Sequence, residues 1–243
     1  MTEASLSERL HKELETLLAN AEPGERLLSE PKLAKQLDVS RATLREAMRT
    51  FETQGRIRRR QGVGTFVVHP STVIESGLEV LESIEALAEQ TGLSVSMGAL
   101  DVENCLADEV VAEKLGLDVG AKIVRVSRII SADDRPVAFL IDQLPDKCLT
   151  EDEVNGSFTG SVLDLLLRRG SPLLDSSRCE IKAVAADLDI ARSLDIQRGD
   201  AVLCFESLLF TVEAEPIDYS FSYFLPGYFR FHVARRVGKN QMG

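Results

Sequence analysis

The sequence is poor in the residues from which metal sites and disulfide frameworks are built. Its four cysteines, Cys105, Cys148, Cys179 and Cys204, lie far apart with no C-x-x-C pair, and the chain has only three histidines. This spacing argues against a zinc site and against a fold held together by disulfides. We therefore expect buried, reduced thiols and no bound metal.

Long apolar runs are also lacking. The longest spans a few residues, whereas a membrane helix needs about 20, and the start Met-Thr-Glu-Ala-Ser does not resemble a signal peptide. We expect a cytoplasmic protein that does not cross a membrane. With 243 residues, 44% of them hydrophobic, the chain can form two modest domains or one large one.

Catalytic motifs are missing as well. The sequence has no G-x-S-x-G, no H-E-x-x-H, no phosphate loop and no glycine-rich dinucleotide fingerprint. The histidines, His11, His69 and His232, have no evident partner. We expect a protein that is not an enzyme, with no catalytic residues and no cofactor; an enzyme carrying an accessory DNA-binding domain is the alternative.

Charge is distributed unevenly along the chain. Residues 1–69 hold 12 basic and 10 acidic residues, a net charge of +2, whereas residues 70–243 hold 16 and 29, a net charge of −13. Within the first part, residues 41–60 contain seven arginines and two acids. A basic cluster of this kind predicts contact with phosphate groups, although a charge run is more commonly solvated surface.

Helix signals fill most of the first 53 residues. Apolar residues at helical spacing predict three helices, over residues 5–19, 30–37 and 41–53. Ser29 and Ser40 are predicted N-caps of the second and third helices, and Gly55 is predicted to end the third. In that third helix, Arg41, Arg45 and Arg49 repeat every four residues along a face separate from its apolar stripe.

A β-hairpin is predicted next. Residues 56–60 and 65–68 read as two strands, and the intervening Gln61-Gly62-Val63-Gly64 contains two glycines that allow a tight turn. Helix, helix, turn, helix and hairpin in this order are typical of a winged helix-turn-helix.

Three segments of this region resemble the GntR family of bacterial transcription regulators: residues 23–30, 39–47 and 61–67. In one departure, Pro31 stands where the family usually has an arginine that helps hold DNA, so that either Lys32 substitutes or one contact is missing. The resemblance and the charge pattern together imply DNA contacts from Lys32, Arg41, Thr43, Arg45, Arg49, Arg58, Arg59, Arg60, Gly62, Gly64 and Thr65.

An internal duplication follows. Residues 107–126 align with residues 186–205 at an offset of 79, with five identities that include the pairs Asp108/Asp187 and Gly120/Gly199. Each copy reads as a short helix, a glycine turn and two strands. Two such units predict one antiparallel sheet with helices on a face and a pocket between the halves.

Residues 93–237 resemble the UTRA ligand-sensing domain of the HutC branch of the same family, which has a chorismate lyase-like fold. The similarity rests on Arg128, residues 135–138, Pro145, Ser161 and residues 228–231. The predicted fold class is therefore α+β, a winged helix-turn-helix (1–69) followed, after a linker (70–92), by an antiparallel-sheet sensor domain (93–243).

The predicted sensor departs from its relatives where they contact ligand. The second arginine of an anion-reading Arg-x-Arg pair is replaced by Ile130, and Leu163 stands where a tyrosine is common. Leu225-Pro226-Gly227 likewise replaces a frequent Arg-Gly-Asp. These changes indicate a ligand different from those of the relatives.

Five residues are candidates for effector binding: Arg128, Ser161, Asp218, Arg178 and Tyr223. The resemblance implies that Arg128 binds an anion and that Asp218 contacts sugar hydroxyls. In the alternative interpretations Arg128 pairs with a nearby acid, Ser161 only caps a helix, and Asp218 lies on a strand surface.

Three kinds of partner are expected. They are double-stranded DNA carrying an inverted repeat, a small anionic or sugar-like effector, and a second copy of the chain. One winged helix contacts little DNA, so two are expected to act together. The contact between the copies is expected mainly in the C-terminal domain, whose sheet has edges and strand residues such as Val202, Phe205 and Leu208 that one helix layer leaves incompletely covered. These considerations predict a ligand-responsive regulator, most simply a repressor; an architectural DNA-binding protein is a third reading that leaves the duplication unexplained.

Overall fold

A computed structural model of the chain describes residues 6–22, 24–53, 56–60, 63–67, 74–91, 94–158 and 160–233. The chain divides into two compact units, one of Met1–Thr72 with Leu225–Tyr228 and one of Val73–Phe224 with Phe229–Gly243. The predicted domain boundaries near residues 69 and 92 lie outside the described residues. Among those that are described, no helix is long and apolar enough to cross a membrane.

The first unit contains three helices and a hairpin, as predicted. Its elements are α1 (Leu6–Ala19), α2 (Glu30–Gln36), α3 (Arg41–Thr53), β1 (Ile57–Arg60) and β2 (Gly64–Val67). The predicted apolar stripes form its core, where Leu10, Leu14, Leu33, Leu44 and Met48 are almost completely buried. Residues 24–27 run alongside β2 and form backbone hydrogen bonds with it; the amide of Leu27, for example, donates to the carbonyl of Thr65 at 2.9 Å. The sequence did not indicate this pairing.

The two predicted N-caps differ. The Ser40 hydroxyl accepts a hydrogen bond from the amide of Thr43 at 3.0 Å, so it caps α3 as predicted. Ser29 occupies the N-cap position of α2, but its side chain makes no capping bond. Pro31 in the first turn of α2 removes an amide that such a cap would otherwise bind. The predicted stop at Gly55 lies outside the described residues.

The second unit is built on a six-stranded antiparallel sheet with strand order β4-β5-β6-β9-β8-β7. The strands are β4 (Val95–Leu106), β5 (Lys122–Ala132), β6 (Arg135–Pro145), β7 (Leu174–Ala185), β8 (Ala201–Thr211) and β9 (Pro216–Phe224). The two halves of the duplication meet at the sheet centre, where β6 pairs with β9. The predicted antiparallel sheet is thus confirmed.

Helices cover both faces of this sheet rather than one. The helices are α4 (Ile84–Thr91), α5 (Glu109–Leu115), α6 (Glu151–Ser157), α7 (Val162–Arg169) and α8 (Leu188–Ser193). On one face, α5 packs around Ile123 and Tyr219. On the other, α6 and α7 pack against Val124, Val126 and Leu144. Successive strand residues point to opposite faces, so both sets of apolar residues become covered.

In the predicted linker, the helical spacing of Leu78, Leu81, Ile84, Leu87 and Ala88 indicates a helix, and the structure forms it only over the second part of this run. It contains β3 (Ile74–Gly77), which pairs in parallel with β10 (Phe229–His232), and then α4, which begins six residues after Leu78. Leu78 and Leu81 are 38% and 49% exposed. The predicted helix is therefore shorter than the apolar spacing indicates, because Leu78 and Leu81 precede α4 and remain exposed, whereas Leu87 and Ala88 of α4 are buried.

The three apolar strand residues that the sequence predicts to be incompletely covered all have contacts within the second unit. Val202 is buried, the ring of Phe205 contacts those of Phe224 and Phe231, and Leu208 packs beside the α5 cluster. Phe205 and Leu208 nevertheless remain partly exposed, so burial excludes only Val202 from contact with a second chain.

Candidate DNA interface and ligand cavity

Helix α3 presents one apolar and one cationic face. Leu44, Ala47, Met48 and Phe51 are at most 4% exposed. Arg41 and Arg45 are exposed, and Arg49 is half-buried. The four-residue spacing of the arginines places them on one stripe because a helical turn takes 3.6 residues.

Carboxylates lie next to two of these arginines. Arg45 Nε is 2.6 Å from Glu30 Oε2 of α2, and Arg49 Nη1 is 3.7 Å from Glu46 Oε2. The Arg45 side chain is nevertheless 59% exposed. An exposed ion pair of this kind contributes at most about 1 kcal/mol, so it orients the guanidinium without preventing it from meeting a phosphate or a base.

The predicted contacts in the hairpin separate into two groups. Arg59 bends back to α3, where its Nε lies 3.5 Å from Glu52 Oε2 and its Nη2 donates to the Arg45 carbonyl at 3.4 Å. Thr65 is only 8% exposed. These two residues fix the hairpin to the rest of the unit, which is a structural role that the arginine run did not reveal.

The other predicted contacts remain accessible or lie outside the described residues. Lys32 is exposed on α2, and the Thr43 hydroxyl hydrogen-bonds to that of Ser40 at 2.8 Å. Gly64 has a φ of +141°, a backbone conformation that residues with a side chain rarely adopt, so this position favours glycine. Gly62 and the side chains of Arg58 and Arg60 lie outside the described residues.

A cavity of about 550 Å³ lies on one face of the six-stranded sheet. Its floor is formed by alternate residues of the central strands, including Arg128, Asp142 and Asp218, and its walls by residues 77–84 and Leu87. The size suits a small organic molecule. The duplication places the cavity over the junction of β6 and β9, as the predicted pocket between the halves requires.

Arg128 and Asp142 form a buried ion pair in the cavity floor. Nη1 of Arg128 donates to Oδ2 of Asp142, and the two side chains are 7% and 12% exposed. The guanidinium also lies over the ring of Phe158, 5.8 Å from its centroid. The pairing of Arg128 with an acid, left open by the sequence, therefore occurs, and it occurs in the lining of the cavity.

Asp218 is buried beside this pair and does not lie on an exposed strand surface. Its Oδ1 accepts a hydrogen bond from the amide of Gln143 at 3.2 Å. Two effects raise the pKa of Asp218 well above its ordinary value: burial, which is the larger, and the neighbouring carboxylate of Asp142. The second cause follows from charge, since two adjacent carboxyl groups do not both ionise readily.

Ser161 caps a helix and also lies in the cavity lining, so the capping role does not exclude contact with a ligand. Its hydroxyl accepts from the amide of Asp164 at 3.1 Å and so caps α7. It is 1% exposed and belongs to the cavity lining. The Asp164 side chain in turn accepts from Ser83 at 2.8 Å, which connects α7 to the start of α4.

Arg178 and Tyr223 point away from the cavity. Arg178 pairs with Leu208 in the sheet, and Leu208 packs on the α5 face. Tyr223 pairs with Phe139, and the two rings stack on that same face. Because a shift of one residue along a strand reverses the face, the structure separates these two candidates from Arg128, Ser161 and Asp218.

Two charged residues of this region were missed. Asp142 is a lone acid in the apolar strand β6, and this pattern could have marked it as an inward-facing group. Glu85 on α4 accepts no hydrogen bond from another described residue, and burial raises its pKa although Arg128 opposes the change. Its sequence surroundings resemble an ordinary helix surface, so nothing in the pattern identified it.

One departure from the UTRA pattern lies at the cavity. Leu163 belongs to its lining, whereas Ile130 is completely buried in β5 and is not among the described lining residues. Leu163 stands where the pattern commonly has a tyrosine, so the wall offers an apolar side chain at this point. The change of ligand stays a prediction.

Comparisons with known proteins match both units. Residues 6–67 match the family of bacterial regulatory proteins, gntR family, and residues 90–230 match the UTRA domain. The HTH-type transcriptional repressor NagR of Bacillus subtilis (strain 168) is 29% identical over 198 residues, which cover 80% of each chain. The HTH-type transcriptional repressor PhnF of Mycolicibacterium smegmatis is 34% identical over 133 residues, 55% of this chain and 53% of that relative.

A solved structure supports the fold assignment. The crystal structure of PhnF from Mycobacterium smegmatis superposes with a TM-score of 0.63 and 23% identity, covering 94% of this chain and all of the other. With both sequence families matched over most of the described residues, the chain belongs to the gntR family of bacterial regulatory proteins and carries a UTRA domain: it is a DNA-binding transcription regulator and not an enzyme.

Proposed function

We propose that this regulator is a cytoplasmic repressor that releases its operator when a small polyhydroxylated molecule enters the cavity of the second unit. The observation that carries the proposal is the presence in one chain of an exposed arginine stripe on a capped helix and of a cavity with buried polar groups in a separate unit. The relatives NagR and PhnF are named as repressors, which supports the sign of regulation.

On the DNA side, α3 enters the major groove. Arg41 and Arg45 contact base edges, because a guanidinium can donate two hydrogen bonds to guanine. Thr43 contacts a base or a phosphate. The phosphate contacts that hold the helix in register come from Lys32, Arg49, Arg58 and Arg60.

The wing follows the neighbouring minor groove with Gly62 and Gly64. Arg59 and Thr65 support the wing from behind, since their side chains are engaged within the first unit. Their substitution affects the stability of the unit as well as its affinity for DNA.

On the effector side, the lining favours hydroxyl groups over a phosphate. Four serines on three strands line the cavity, and their hydroxyls can both donate and accept hydrogen bonds. They are Ser177 of β7, Ser207 of β8, and Ser220 and Ser222 of β9. The charge of Arg128 is already matched by Asp142. Of the two effector types that the sequence allowed, a polyhydroxylated molecule therefore fits better than an anion.

The repressor acts as a homodimer on an inverted repeat. Two-fold symmetry of the protein matches two half-sites that face successive major grooves. An effector that changes the arrangement of the paired sensors then changes the spacing of the two α3 helices.

An operator selected from random duplex DNA tests the proposal. We expect a small-metabolite fraction from the source cells to weaken operator binding, measured by fluorescence anisotropy, by roughly 5–150-fold, the usual range of allosteric coupling. The same fraction must leave binding by the isolated first unit unchanged. Operator affinity that no metabolite fraction alters would contradict a ligand-responsive repressor.

A further inference from the structure

Carboxyl groups dominate the cavity that we propose as the effector site. Five acids line it: Glu79, Glu82, Asp142, Asp175 and Asp218. Arg128 is the one lysine or arginine among the described lining residues. Carboxyl groups therefore outnumber basic groups among the described lining residues.

The single guanidinium does not offset this excess for an incoming anion. Arg128 is paired with Asp142, and both side chains are almost fully buried. A phosphate or carboxylate bound to Arg128 would lie beside Asp142 and Asp218, and separating the existing pair would leave a buried charge uncompensated. The floor thus disfavours the ligand class that a lone arginine would suggest.

Asp218 adds a carboxyl group whose proton a cation can replace. Burial and Asp142 raise its pKa, and Arg128 opposes this only in part. The other titratable groups packed around this floor are Glu85 on α4 and Asp164 on α7, both of which act on the same cluster.

A buried hydrogen-bond donor in the cavity floor lacks an acceptor, which indicates that a ligand atom completes the site. Nε of Arg128 has no hydrogen-bond partner among the described residues, although the side chain is only 7% exposed. Buried donors are nearly always paired. A hydroxyl or carbonyl oxygen of a ligand would pair with this donor without the repulsion that an anion meets.

We propose that the cavity binds an amine-bearing, polyhydroxylated small molecule, whose ammonium group contacts the Asp142 and Asp218 carboxylates and whose hydroxyls contact Arg128 and the serines. This inference rests on the proposed function of the cavity as the effector site. On binding, the ammonium keeps its protons, and a proton on Asp218 leaves to solvent. Affinity therefore increases as pH rises through the raised pKa of Asp218.

Six compounds of two scaffolds, differing chiefly in charge, test the charge preference on the full-length protein. They are glucosamine, glucose and glucose 6-phosphate, and putrescine, 1,4-butanediol and succinate, each used at millimolar concentration in a thermal-unfolding assay. We expect the amine of each set to raise the melting temperature more than its neutral counterpart does, and the anions to have no effect. The proposal is wrong if an anion raises the melting temperature more than the amine of the same scaffold does. It is also wrong if neither glucosamine nor putrescine changes the melting temperature.

Asp218→Asn provides the variant. Asparagine retains an oxygen to accept from Gln143 and an amide to donate to Asp142, but it cannot become anionic. We expect amine binding to weaken at least tenfold and to lose its pH dependence. Asp133→Asn makes the same side-chain replacement far from the cavity, in an exposed hairpin turn at positive φ that suits asparagine, and should leave amine binding unchanged.

The failure of this inference differs from the failure of the proposed function. If anions stabilise the protein and weaken operator binding, the cavity is an effector site of the opposite charge preference. If the amines bind but operator affinity does not change, the cavity binds cations without regulating DNA binding. If Asp218→Asn binds the amines as tightly as the wild type, the ammonium does not contact this carboxyl and the proposal is wrong.

Discussion

Among single residues, Arg45 is held by Glu30 but remains 59% exposed. We predict that Arg45→Ala weakens operator binding by roughly 1–3 kcal/mol, the usual cost of losing a base-contacting arginine. Its melting temperature should stay within experimental error of the wild type, since an exposed ion pair contributes little to folding.

Arg9→Ala is a matched control. Arg9 also lies in an exposed helical ion pair, with Glu13 at 3.7 Å, and its side chain is 51% exposed. Titration of labelled operator should show wild-type affinity for this variant. Equal affinities for the Arg9 and Arg45 variants would mean that α3 is not the recognition helix.

A second residue-scale prediction concerns Asp218 and pH. Because its pKa is raised in the folded protein, the folded state retains a proton that the unfolded chain, with an aspartate pKa of about 3.9, releases. This contribution to stability is complete below the unfolded pKa and is lost as pH rises through the folded one. Asp218→Asn stays neutral at every pH, so its stability relative to wild type should increase over that range.

Urea unfolding of both proteins at several pH values measures the difference. The free energies of unfolding should diverge in favour of the variant as pH rises. A difference that does not change with pH would show that Asp218 ionises in the folded protein as it does in the unfolded chain.

The cavity residues show what the sequence can and cannot predict at this scale. Arg128, Ser161 and Asp218 were identified from motif positions, and all three meet at the cavity. Arg178 and Tyr223 were not separated from them, because strand register decides which face a residue takes and register depends on long-range pairing. Glu85 joins the cluster only through the packing of α4, which no local pattern encodes.

Among the elements, the N-termini of α2 and α3 provide a matched pair. Ser40 caps α3 through its hydroxyl, whereas Ser29 makes no such bond at α2. We predict that Ser40→Ala lowers the free energy of unfolding by about 1 kcal/mol, the typical value of a serine cap. Ser29→Ala should change it much less.

Denaturant unfolding of the isolated first unit, which has an apolar core of its own, measures both variants. Near-UV and far-UV signals must give the same midpoint for the comparison to hold. Equal losses from the two substitutions would indicate that general serine removal, and not capping, is responsible.

The duplication explains why so much of the second unit could be predicted. The paired residues Asp108 and Asp187 both cap helices, and Gly120 and Gly199 have φ values of +84° and +89°. These identities persist because the local geometry demands them. In contrast, β3 pairs with β10 across about 150 residues of chain, and neither strand carries a signal for its partner.

For the whole molecule, the charge division has a consequence for DNA binding. Residues 70–243 carry a net charge of −13 and residues 1–69 only +2, so the larger part of the protein repels the phosphate backbone. One winged-helix module buries roughly 600–1,000 Å² on DNA. Two modules linked in one dimer compensate, because the second binds at a high effective concentration once the first is bound.

The sheet of the second unit offers edges for such a dimer. Among the described residues, β4 and β7 each pair with one strand and leave the other side open. Leu106, at the end of β4, and Leu173, just before β7, are 65% and 62% exposed. Open edges with apolar residues are favourable sites for pairing with a second copy.

We therefore predict a dimer in sedimentation experiments at micromolar concentration, with and without operator. Leu106→Lys places a charge at the β4 edge, and Leu173→Lys places one at the β7 edge. The variant whose edge forms the dimer contact should sediment as a monomer and bind operator more weakly. Val119→Lys, in an exposed turn, is the control and should remain dimeric. A wild-type protein that stays monomeric on a full operator would rule out the dimer, and one α3 helix would then have to supply the entire affinity against the repulsion of its own sensor.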